Sequence, residues 1–194
     1  MTLPERARHL IDFWFAPEGD PGRTRYRPIW FRSTEAFDAA VRANFLADYE
    51  RAAAGALAGW EAAPESALAL VLLLDQVPRN SFRGSPRAYA SDGQAREVAG
   101  RALARGFDQQ VPPVWRIFFY LPFEHSEELA DQRRALALFA ALPPDPDRPD
   151  AMRAARRHYD IIARFGRFPH RNAILGRAST AAEIAFLADP DSSL

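Results

Sequence analysis

The chain contains no cysteine and no lysine, so each of the 25 basic positions in its 194 residues is arginine. The absence of cysteine excludes disulfides, thiolate metal centres and a cysteine nucleophile, and it is compatible with a reducing compartment. The 25 acidic residues cancel the arginines. That balance removes the electrostatic reason to expect nucleic acid or an anionic membrane as partner. Long apolar runs are missing too: the most apolar, residues 67–74, falls far short of the roughly 20 residues that span a bilayer. No basic, apolar and small-residue succession of a signal peptide opens the chain, so the expected location is the cytoplasm.

Strand signals are also lacking. What is present is helical spacing. Ala7, Leu10, Ile11, Trp14 and Phe15 fall on one stripe, with Thr2 and Glu5 at capping-box spacing ahead of them. Phe37, Val41, Phe45 and Tyr49 repeat every fourth residue after Ser33 and Thr34, and Gly55 offers a stop. Pro64 suits the first turn of a third helix, expected over residues 65–75 and apolar all round. Ser85-Pro86 opens a segment whose apolar face ends at Gly106, and Pro112-Pro113 precede an aromatic helix expected to stop before Pro122. Ser126 is the expected N-cap of a helix over residues 127–142, and 143–149 read as a Pro-rich linker. Residues 151–165 and a capped C-terminal helix after Thr180 complete the pattern. The expectation is one all-α domain over residues 1–194, a bundle or αα-superhelix of about eight helices, without a strict period of roughly 34 residues.

Three segments carry more chemistry than connectors need. The first runs Asp75-Gln76-Val77-Pro78-Arg79-Asn80-Ser81-Phe82-Arg83-Gly84. The second runs from Trp115-Arg116 to Glu124-His125-Ser126-Glu127. The third is Arg164-Phe165-Gly166-Arg167-Phe168-Pro169-His170-Arg171-Asn172, continuing to Arg177. The first and third echo each other, with an apolar residue and proline ahead of an Arg-Asn pair and a later Gly beside Arg. A weak pseudo-repeat and chance both account for the echo.

These runs, Leu74-Asp75-Gln76-Val77-Pro78-Arg79-Asn80, Tyr120-Leu121-Pro122-Phe123-Glu124-His125-Ser126-Glu127 and Arg164–Asn172, resemble the signatures of the bacterial domain-of-unknown-function 924 family. The likeness extends from Asp12-Phe13-Trp14-Phe15 to Phe186-Leu187. It implies an all-α fold similar to tetratricopeptide-like superhelices and carries no catalytic assignment. Val77 stands where the resemblance leads one to expect Phe.

Three functional readings remain open from the residues. In the leading one, the segments form a polar cleft for a small anionic metabolite, which is bound and turned over or only bound. Arg79, Arg167 and Arg171 hold the anion, Asn80 and Asn172 orient it, and His125 with Glu124 exchanges protons, with His170 facing the anion. Asp75, Arg83, Arg116, Glu127, His158 and Arg164 complete the candidate lining. His158 lies on the apolar stripe of its helix, where a hydrogen-bonded core role competes. The second reading is a protein-interaction module whose arginines and carboxylates neutralise one another as a brace. The third is a divalent-metal hydrolase using the His and carboxylate cluster around His125 and Glu128. No cofactor and no bound metal are assigned. The partner is a small anionic ligand or a protein.

Overall fold

The computed structural model describes residues 2–144 and 151–189. Within them the chain forms eight α-helices and no strand: α1 (Glu5–Phe15), α2 (Glu35–Ala53), α3 (Pro64–Ser81), α4 (Asp92–Ala104), α5 (Pro113–Glu124), α6 (Leu129–Ala140), α7 (Ala151–Phe165) and α8 (Ala181–Leu187). Short 3-10 turns sit between several of them. From α2 to α7 each helix packs on the next, and α3 also meets α1 and α5. No helix among the described residues is long and apolar enough to cross a membrane.

The position of α3 follows from its sequence. Its residues 66–78 are all buried, as an all-round apolar run requires. Around it Trp14, Phe15, Phe45, Trp115, Phe118 and Phe119 close the main core. A small second cluster of Ile161, Ile162 and Phe168 packs with Phe165 and Phe186 beneath α8.

Two prolines that suggest breaks lie inside helices. The Asp75–Ser81 stretch is helical rather than a loop, and α5 runs through Pro122 to Glu124. In α3 the cost is offset locally. Pro78 has no N–H to give the Leu74 carbonyl, and the Ser91 hydroxyl donates to that oxygen instead at 2.6 Å. The helix therefore delivers Asp75, Arg79 and Asn80 on a rigid element.

Caps also differ from expectation. Pro4, not Thr2, is the N-cap of α1, and it caps without a side-chain bond. Glu128 is the N-cap of α6, while Ser126 accepts from the Glu128 N–H at 3.1 Å and donates to Asp131 at 2.7 Å. Residues 86–89 form a 3-10 turn before α4 begins at Asp92. The Thr34 cap and the Thr180–Glu183 capping box form as expected. Of the Pro-rich linker, residues 145–149 lie outside the described residues.

The segment between α1 and α2 matters to the site because it carries aromatic side chains. Arg27 donates to the carbonyls of Phe13 and Trp14 at 3.0 and 2.6 Å, and the Trp30 indole to that of Trp14 at 2.9 Å. Trp115 clamps the other end through the Arg23 carbonyl at 2.9 Å. These bonds seat Trp30 and Phe31 against Phe118 of α5, with Tyr26 against Trp30 and Phe31.

Candidate functional site

A cavity of about 880 Å³ opens between α3, α5, α7 and the segments around residues 30 and 170. Three helices each give it one face. From α3 and its end come Gln76, Arg79, Asn80 and Arg83; from α5, Ile117, Leu121, Glu124 and His125; from α7, Arg153, Ala154, Arg157 and His158. Spacings of three and four residues explain why these side chains share a wall.

At its polar end the groups form a connected chain. His125 Nδ1 is 2.8 Å from Asp75 Oδ1, and Gln76 donates to Asp75 Oδ2 at 2.5 Å. Arg79 lies 3.2 Å from Asp75 and grips Asp92 bidentately at 2.8 and 2.9 Å. Arg171 reaches the same Asp92 at 3.6 Å, and both guanidiniums lie over the Tyr89 ring. Burial pushes the Asp75 carboxyl up, yet Arg79 and His125 hold it well below the usual carboxylate range. It is therefore an anion that only accepts, so the proton on neutral His125 resides on Nδ1 and Nε2 keeps its lone pair. Burial, with Arg79, pushes the imidazole down against the pull of Asp75, so it is neutral at pH 7.

Glu124, next in the chain, behaves oppositely. Fully enclosed and near Asp75, its carboxyl is pushed up to about 8. His158 Nδ1 is 3.2 Å from Glu124 and donates to the Ala154 carbonyl at 2.9 Å. Burial pushes His158 down to about 3. The Glu124–His158 contact is thus one between two neutral groups, not an ion pair. The His158 ring lies between His125 and Phe168, and Phe168 also touches His170 and Arg171.

The arginines divide into two groups. Arg83 is spent on Asp38, Arg167 on Glu183, and Arg177 on Glu127. Arg116 bonds Gln109 at 2.8 Å, and Arg164 covers Phe165 and Phe186. Glu127, below its usual range because Arg177 and the Phe168 N–H outweigh burial, ties the second segment to the third. Arg171 is different. It is 7% exposed, its Nε has no hydrogen-bond partner among the described residues, and its Asp92 contact exceeds hydrogen-bond length. Arg157 Nε is likewise buried and unbonded among the described residues.

Of the residues singled out from sequence, Arg79, Asn80, Arg83, Glu124, His125, His158, His170 and Arg171 line the cavity, with Asp75 directly behind them. Arg116, Glu127, Arg164, Arg167 and Asn172 do not line it. Arg164 and Arg167 border a separate shallow hollow beside Glu183. Asn172 is buried and bonds Ser179 at 3.1 Å and Arg177 at 2.9 Å, so it does not pair with Asn80 as an orienting amide. Asn80 bonds Asp38 at 2.7 Å. The echo between the first and third segments has a spatial counterpart in Arg79 and Arg171, which share Asp92 and Tyr89. No group of three or more His or carboxylate side chains among the described residues is placed to hold a metal ion.

Sequence reasoning missed Arg153, Arg157, Tyr26 and Tyr89. A signal for the α7 pair exists: Arg153, Arg157 and His158 stand at i, i+4 and i+5 on a helix with a sharply divided apolar face.

The model for "Bacterial protein of unknown function (DUF924)" matches residues 10–191. A solved structure of a protein of unknown function from Agrobacterium tumefaciens is 43% identical, with a TM-score of 0.81 over 93% of this chain and 96% of that one. No curated protein matches. Over most of its length, then, the chain belongs to the DUF924 family.

Proposed function

We propose that this protein binds a small organic anion in the cavity between α3, α5 and α7, with Arg171 and Arg157 as anchors and His125 and Glu124 as proton-exchanging groups. The observation that carries the reading is the Arg171 guanidinium. It is buried, it faces a cavity, and it has a donor without an acceptor. A buried unsatisfied donor costs about 1–3 kcal/mol, and more for a charged group. A ligand carboxylate or phosphate at the cavity face of the guanidinium offsets that cost by neutralising its charge, a recognition that a planar guanidinium serves well.

The acid–base pair supports turnover as well as binding. His125, with Nδ1 held by Asp75, has the lone pair of a base on Nε2. Glu124, protonated at neutral pH, is an acid beside it. Two neighbouring groups whose environments push their proton affinities apart suit a base and an acid at one bound molecule. The braced arginines, Arg167 and Arg177, serve the fold in this account.

The reading is tested by melting curves with phosphate- and carboxylate-bearing metabolites. A ligand at a hundredfold its Kd stabilises by about 2.7 kcal/mol, a rise of roughly 5–10 °C for a chain of this size. Arg171→Met abolishes the rise. A broad panel that leaves the wild-type midpoint unmoved contradicts the proposal.

A further inference from the structure

The cavity wall on α5 is graded along the helix axis. Ile117 and Leu121 form its first part, and Glu124 and His125 its last. All four lie on one face, at i, i+4, i+7 and i+8, so the helix acts as a ruler. At roughly 1.5 Å per residue the apolar and polar ends stand about 10 Å apart.

Two ring clusters follow the division on α5. Tyr26, Trp30 and Phe31 form a ring cluster with Phe118, with centroids 5.1 to 6.3 Å apart. Phe168, Arg171, His158 and His125 form a second cluster at the polar end. Phe31 lines the cavity and yet is 50% exposed, although it is among the largest apolar side chains of the fold. A bare inorganic anion would engage only the second cluster and leave the aromatic wall unused.

From this juxtaposition we infer that the ligand is an amphipathic organic anion. A single acid group lies at Arg171 and Arg157, and an aromatic or short aliphatic body extends about 10 Å along α5 to Phe31. The inference rests on the anion-binding reading and adds the class of molecule. A cavity of about 880 Å³ holds such a body, and each methylene it buries raises affinity about fourfold.

Titration calorimetry with matched probes tests it: phenyl phosphate against inorganic phosphate, 4-phenylbutyrate against acetate, and benzyl alcohol as the uncharged control. The expected result is at least tenfold tighter binding of the aromatic anion in one pair, which names phosphate or carboxylate as the acid group. Phe31→Ala reduces that ratio at least threefold without changing the affinity for the bare anion. Equal affinities within both pairs overturn the amphipathic class but leave an anion site standing. A ratio indifferent to Phe31→Ala overturns the placement of the apolar body. Benzyl alcohol binding as tightly as phenyl phosphate, or no probe binding at all, overturns the class and the anion-site reading together. The wild-type ratios decide the class even if the variant misfolds.

Discussion

His125 Nδ1 and Asp75 Oδ1 stand 2.8 Å apart, joining the C-cap of α5 to the most buried carboxylate of α3. This bond sets the imidazole tautomer; Arg79 approaches the same Oδ1 and keeps Asp75 charged, while Gln76 donates to Oδ2. The pair holds the polar end of the cavity in place, and the two partners contribute unequally.

Asp75→Asn lowers stability by about 3 kcal/mol, because it removes the anion that Arg79 and His125 share in a dry setting. His125→Gln costs less, since Arg79 and Gln76 still satisfy Asp75. Urea unfolding of both variants measures the asymmetry. Equal losses would contradict Asp75 as the hub.

Glu124 gives a pH dependence with a definite sign. Its folded proton affinity is raised from the ordinary 4.5 to about 8. Stability is therefore fully present below pH 4.5 and is lost as pH rises through about 8. His158, lowered from 6.5 to about 3, acts in the other direction: its contribution is present above pH 6.5 and is lost toward pH 3. Melting midpoints peak between these limits. Glu124→Gln flattens the alkaline fall and raises the midpoint at pH 8 by several degrees. A variant that tracks the wild type across pH 5–8 contradicts a protonated Glu124.

Arg177 belongs to the brace. It bonds both oxygens of Glu127 at 2.7 and 3.0 Å and the Phe168 carbonyl at 3.0 Å. Arg177→Met leaves those acceptors partly unsatisfied and lowers stability by about 2 kcal/mol. Arg171→Met changes stability by less than about 1 kcal/mol, because the desolvation cost relieved with its unbonded Nε offsets the lost long Asp92 contact and ring stacking. Its Asp92 neighbour keeps the bidentate Arg79.

Periodicity made the helices legible, and caps fixed several ends: Thr34, Gly55 and the Thr180–Glu183 box are local signals with local outcomes. Pro78 misled because its rescue is not local. The hydroxyl that takes its place at the Leu74 carbonyl belongs to Ser91, thirteen residues on. At the site, three segments pointed to one region, and Arg79, His125 and Arg171 do converge there. Which arginines are spent and which are free was not legible. Arg167 and Arg171 look alike in sequence, but only tertiary packing places Glu183 against one and an open cavity against the other. Which aromatics line the cavity was hidden for the same reason: Phe31 and Phe37 differ in surroundings, not in pattern.

The most direct measurement is a calorimetric titration of phenyl phosphate into wild type, Arg171→Met and Arg177→Met at equal folded fraction. The account predicts that Arg171→Met is stable but binds at least tenfold more weakly, and that Arg177→Met is less stable but binds as the wild type does. Binding that survives in Arg171→Met, or fails equally in both variants, contradicts a ligand site built on Arg171.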